Sequence, residues 1–124
     1  MNSEERWAGG LAAYASQFGI SSDEVYPLML ERFGERMATE AIGAAAGAWT
    51  DDELSLRDRS LVVLAALIAQ GGVEARLRPH VRWAIEHGCT VAELEAMAAL
   101  LAVYVGYPRA SVAMDVIREE LESA

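Results

Sequence analysis

Apolar residues along this chain recur mostly three and four positions apart, and runs alternating apolar with polar residues are absent. That period belongs to helices with one buried face, so the pattern predicts an all-α fold of about six helices. The first carries Trp7, Leu11, Tyr14 and Phe18 on one side and stops at Gly19. A second, capped by Ser21 or Ser22, reads through Met29, Phe33, Met37 and Ile42. Gly43 and Gly47 predict that it ends, or packs closely on a neighbour, before Trp49. After an acidic loop at Thr50–Leu54, Ser55 heads a helix over Leu56–Gln70, with Asp58 as its capping-box partner. Beyond Ser60 this helix is apolar almost all round, which predicts the central buried element. Gly71 and Gly72 break it, and a fourth helix runs to about His87 before Gly88. Thr90 and Glu93 form a capping box for the helix Val91–Val105. Gly106 stops that one, and Pro108 sits in the first turn of a last helix reaching about Leu121.

Composition narrows the function. A chain of 124 residues with 53% hydrophobic residues fits one domain spanning 1–124 and able to bury a core. The formal net charge of −9 repels phosphate backbones, and no basic patch offsets it, so no nucleic acid is expected as a partner. The ten basic residues are all arginines, so a side-chain amine for Schiff-base chemistry is missing. The single cysteine, Cys89, can form neither an internal disulfide nor a redox thiol pair. The longest apolar runs, Leu61–Ala69 and Ala96–Val105, are about half of a membrane crossing, so no membrane span is expected. Met1–Arg6 is polar and acidic, unlike a secretory leader, and the expected location is cytoplasmic.

From Leu54 onward the motifs become specific. The run LSLRDRSLVVLAAL at Leu54–Leu67 is followed by a Gly-broken turn and L-R-P-H at Leu77–His80. The spacing A-x-x-x-G-x-T-x-x-E of Ala84, Gly88, Thr90 and Glu93 follows, then VYVGYPRASVAM at Val103–Met114. This combination, over about seventy residues and with Trp49 ahead of it, resembles the carboxymuconolactone decarboxylase family, whose fold is shared with alkylhydroperoxidase D-like proteins. The first forty residues match loosely. The resemblance implies an all-helical subunit assembling as a homo-oligomer, a trimer or hexamer, with pockets among the helices near subunit contacts. Peroxidase-type relatives carry C-x-x-C, with a histidine four residues after the second cysteine. Counting back from His80, Val73 and Arg76 occupy those positions here, so thiol-based peroxide reduction is excluded. What remains resembles the decarboxylase branch, which removes carbon dioxide from a carboxylated muconolactone without metal or organic cofactor.

The fourth helix concentrates the candidate chemistry. Arg76, His80, Trp83 and His87 fall at helical spacing on one face, while Glu74, Arg78, Arg82 and Glu86 form a charged stripe. By residue type alone, that first face reads as a packed side with two satisfied histidines, and the stripe as a solvated or subunit-bridging face with i,i+4 ion pairs. The resemblance selects His80 as the catalytic candidate. Imidazole exchanges protons near neutral pH, and decarboxylation requires a proton delivered to carbon. A small anionic substrate approaching an acidic protein needs cations, which makes Arg57, Arg59, Arg76 and Arg109 candidate anchors. Arg59 has an equally good reading as the ion-pair partner of Asp58 or Glu53. Trp83 and Tyr104 are candidate substrate-contacting residues; for Tyr104 and Tyr107 the simpler expectation is core packing with the hydroxyl at the rim. Two histidines seven residues apart make a poor metal site, so no metal and no cofactor is expected. The reading favoured is a cofactor-free lyase acting on a small cyclic carboxylate (lactone). A dehydratase, isomerase or lactone hydrolase on the same fold, or a non-catalytic oligomeric binding module, are the alternatives.

Overall fold

The computed structural model describes residues 1–122. Among them are six helices and no strand: α1 Ser3–Phe18, α2 Ser22–Trp49, α3 Leu56–Gln70, α4 Glu74–Glu86, α5 Val91–Val105 and α6 Tyr107–Glu122. Local chemistry sets most of their ends. The Asn2 side chain accepts from the Glu5 amide at 2.8 Å, and Gly19 closes α1 in the left-handed region with φ 67°. At Thr90 the box is reciprocal, with the hydroxyl accepting from the Glu93 amide at 3.1 Å and the Glu93 carboxylate accepting from the Thr90 amide at 3.0 Å. At Ser55 only half of the expected box forms. The hydroxyl accepts from the Asp58 amide at 3.0 Å, whereas the Asp58 carboxylate turns to Arg57 at 3.4 Å. Aspartate is one methylene shorter than the glutamate that ordinarily reaches back.

The chain forms two compact units, divided between Glu53 and Leu54. In the first, α1 and α2 pack together around Val25, Met29, Ala38 and Ile42, with Trp7, Leu11, Tyr14 and Phe18 against them. Trp7 meets Tyr26 with ring centroids 5.4 Å apart. Helix α2 runs unbroken through Gly43 and Gly47 to Trp49, contrary to the expected early stop. Its real discontinuity is Gly34, at φ 80° and ψ 166°, a kink that a residue with a Cβ adopts only with strain. The alternative expectation, close packing on a neighbour, is met in this region: a Cβ built at Gly10 of α1 would lie 1.8 Å from the Ile42 carbonyl oxygen, and one at Gly9 would lie 3.4 Å from the Ala46 Cβ.

In the second unit α3–α6 surround one core of Leu64, Ile68, Leu77, Val81, Leu94, Val116 and Ile117. Helix α3 touches each of the other three, as expected of a central element. It is not enclosed, however. It buries Arg59, Ser60, Leu64 and Ile68, and leaves Val62 exposed. Four short helices are too few to wrap one of their number completely. The same limit leaves Leu100, Val103 and Tyr104 of α5 facing outward, and no helix among the described residues is long and apolar enough to cross a membrane.

Gly10→Ala is expected to lower the stability of the α1–α2 unit by about 1–3 kcal/mol, because the added carbon has no room beside the Ile42 carbonyl. Gly43→Ala, with nothing within 4 Å of its added carbon, is expected to be neutral or stabilising. Chemical denaturation followed by circular dichroism tests the opposite signs; equal effects would contradict this packing.

Candidate active site

Helix α4 is oriented by its apolar stripe. Leu77, Val81 and Ala84, spaced four and three apart, are buried in the core, which fixes the directions of the remaining faces. The charged stripe meets α6. Arg78 Nη1 donates to Glu119 at 2.9 Å and to Glu120 at 3.3 Å, and Arg82 lies 3.5 Å from Glu120. These pairs bridge two helices, where the sequence suggests pairs along one.

The face bearing the histidines is half-buried. The rings of His80 and Trp83 meet edge to face, with centroids 4.7 Å apart and planes at 88°. His87 caps the end of α4, and its Nδ1 lies 2.7 Å from the hydroxyl oxygen of Ser60 on α3. Which of the two donates follows from the tautomer of His87. Ser60 is 3% exposed, so this bond is made inside the unit. Burial pushes the His80 imidazole below its ordinary value of 6.5, and the neighbouring His87 pushes it the same way.

The remaining candidates are dispersed. Arg76 stands exposed on α4, one turn before His80. Arg59 is 7% exposed and its Nη1 donates to the Leu54 carbonyl at 2.8 Å, while Asp58, one of its expected ion-pair partners, is met by Arg57. Arg57 in addition pairs with Glu93 across to α5. Tyr104 is 78% exposed and Tyr107 75% exposed, so neither is the core residue expected from its type. Arg109 lines a cleft at the Gly71–Gly72 turn whose walls do not include His80. The structure thus groups His80, Trp83 and His87, places Arg76 on the same helix, and sets Arg59, Tyr104 and Arg109 in other surroundings.

Ser60 is the site residue that the sequence reading passes over. Its signal is a hydroxyl at a buried register of an otherwise apolar helix, where an unsatisfied polar group would be costly. Cys89 is a packed residue: its Sγ lies 3.8 Å from the Arg57 carbonyl, and burial pushes its thiol up, away from reactivity. No group of three or more His, Cys, Asp or Glu side chains stands where it could hold a metal ion among the described residues.

Fold and site together define an all-helical protein whose candidate chemistry is a thiol-free histidine pair on one amphipathic helix. The model of the carboxymuconolactone decarboxylase family matches residues 37–119, and the chain belongs to that family. The match begins within α2, earlier than the motifs at Leu54 suggest. The chain is also similar to the 4-carboxymuconolactone decarboxylase of Acinetobacter baylyi, at 30% identity over 120 residues, covering 96% of this chain and 89% of that protein.

Two outcomes follow from the geometry. A histidine held below 6.5 binds fewer protons folded than unfolded, so its stability contribution is present above 6.5 and is lost as pH falls through the folded-state value. NMR titration of His80 should show a midpoint under 6.5, and His80→Gln should lose less stability on acidification than the wild type. Ser60→Ala should cost about 1–3 kcal/mol by depriving the His87 ring of its buried partner, with Ser60→Thr recovering part of it; equal stability of Ser60→Ala and wild type would show that the bond carries no weight.

Proposed function

We propose that this chain is a cofactor-free lyase acting on a small cyclic carboxylate, with His80 as its proton donor. Family membership supports this reaction class, as does the relative from Acinetobacter baylyi, a 4-carboxymuconolactone decarboxylase. The observation that carries the reading to a residue is the half-buried His80 imidazole, seated edge-on to Trp83 and disfavoured as a cation by its surroundings. In the reaction proposed, the bond from ring carbon to carboxylate breaks and carbon dioxide leaves. Its electron pair enters the conjugated lactone, and the imidazolium of His80 returns a proton to carbon. An imidazolium with a lowered pKa is the stronger acid, which favours that transfer. The negative charge of the bound substrate offsets the burial that would otherwise empty His80 of its proton.

Arg76, one helical turn from His80, is the proposed anchor for a carboxylate that the reaction retains. Trp83 gives the lactone an apolar wall. The reading includes assembly as a trimer or hexamer, supported by the outward face of α5, where Leu100, Val103 and Tyr104 lie at helical spacing and Val103 is 73% exposed.

Incubation of the protein with 4-carboxymuconolactone, followed by loss of its carboxylate, is the direct test. His80→Ala is expected to abolish turnover and leave the elution volume on a sizing column unchanged. Arg76→Ala is expected to raise KM more than it lowers kcat. Because the donor must be protonated, kcat/KM should fall as pH rises through the His80 value, which lies under 6.5. Undiminished turnover by His80→Ala would overturn the assignment.

A further inference from the structure

The cleft at the Gly71–Gly72 turn lies outside the histidine face, yet its walls carry recognisable chemistry. It encloses about 420 Å³ between the end of α3, the start of α4 and the start of α6. That is within the range of small-molecule sites, about 300–1,000 Å³. Leu67, Leu77 and Val112 give it apolar walls, and two charged side chains of opposite sign, Glu74 and Arg109, share its lining.

Arg109 is held in place before any ligand arrives. Its Nη1 donates to the Ala69 carbonyl at 2.5 Å, and its side chain lies along Gly71. A Cβ at Gly71 would stand 3.1 Å from Arg109 Nε, and the backbone there has φ 70°, so glycine both permits the turn and leaves room for the guanidinium. With one terminal nitrogen occupied by a carbonyl, the edge formed by Nε and the other terminal nitrogen remains to take a carboxylate by two parallel hydrogen bonds. Arg109 and Glu74 do not pair with each other or with another charged side chain among the described residues. An anion carrying two carboxylates is repelled by Glu74, whereas a ligand bearing one negative and one positive group satisfies both walls.

We propose that this cleft binds a small zwitterionic amino carboxylate, with its carboxylate on Arg109, its ammonium on Glu74 and its apolar side chain against Leu67, Leu77 and Val112. The ligand class differs from the cyclic carboxylate of the lyase reading, and the proposal stands without that reading.

The test is an amide NMR titration of the full chain with L-phenylalanine, run beside 3-phenylpropanoate and 2-phenylethylamine, each of which retains a single charge. Saturable shifts are expected at Gly71, Gly72 and Val73, with L-phenylalanine binding about tenfold tighter than either analogue. Arg109→Gln is expected to bring L-phenylalanine down to the level of the amine, and Glu74→Gln to the level of the acid, while spectra away from the turn stay unchanged. Absence of saturable shifts at the turn, equal binding of all three compounds, or indifference to Arg109→Gln would overturn the proposal. His80→Ala should retain this binding even where it abolishes turnover, which separates the two sites.

Discussion

The rotation of α4 about its own axis is the constraint on which the arrangement of the second unit depends. Burying Leu77, Val81 and Ala84 removes apolar surface worth about 1.5–3 kcal/mol for each of the larger two side chains. Once that stripe faces the core, no freedom remains for the others. Arg78 and Arg82 reach Glu119 and Glu120 of α6, while His87, closing the helix, reaches Ser60 of α3. A rotation by one residue, about 100°, would put a charged side chain in the core and strip both contacts at once. The Arg78–Glu119 pair is exposed on both sides, so it follows the orientation of the helix and does little to set it.

Much of the fold is legible in the sequence because the signals that end helices act over four or five residues. Gly19, Ser55, Gly71, the Thr90–Glu93 box and Gly106 all stand where the structure places helix boundaries. The Gly34 kink is not legible in this way. Nothing beside it distinguishes that glycine from Gly43 or Gly47, and only the need of Val25, Met29, Ala38 and Ile42 to share one core marks it out. The close contact at Gly10 is hidden for the same reason: it depends on a carbonyl thirty-two residues away.

The site divides along the same line. Periodicity puts His80, Trp83 and His87 on one face, and the rings of the first two are indeed in contact. What periodicity does not convey is the identity of the facing helix. Ser60, the two glutamates that take Arg78 and the Leu54 carbonyl that takes Arg59 all come from other elements. Residue type misleads most at Tyr104 and Tyr107. An aromatic ring ordinarily signals burial, but four helices offer too little interior for α5, which carries Tyr104, or α6, which begins at Tyr107, to bury more than one side.

The surroundings of His80 also bear on the direction of the proposed chemistry. Lowering the pKa of an acid has two opposed effects: each protonated molecule gives up its proton more readily, and fewer molecules are protonated at neutral pH. In the free protein the second effect is the costly one, since burial and His87 act in the same sense. A bound anion reverses it, because negative charge beside the imidazole restores the proton where substrate is present. Carbon dioxide leaves as a neutral molecule, so the negative charge stays with the substrate, moves from the carboxylate into the conjugated lactone, and is cancelled only when the imidazolium gives its proton to carbon. Burial that works against His80 in the empty site thus favours transfer in the occupied one, because the transfer turns an imidazolium and a dienolate into two neutral groups where burial disfavours charge.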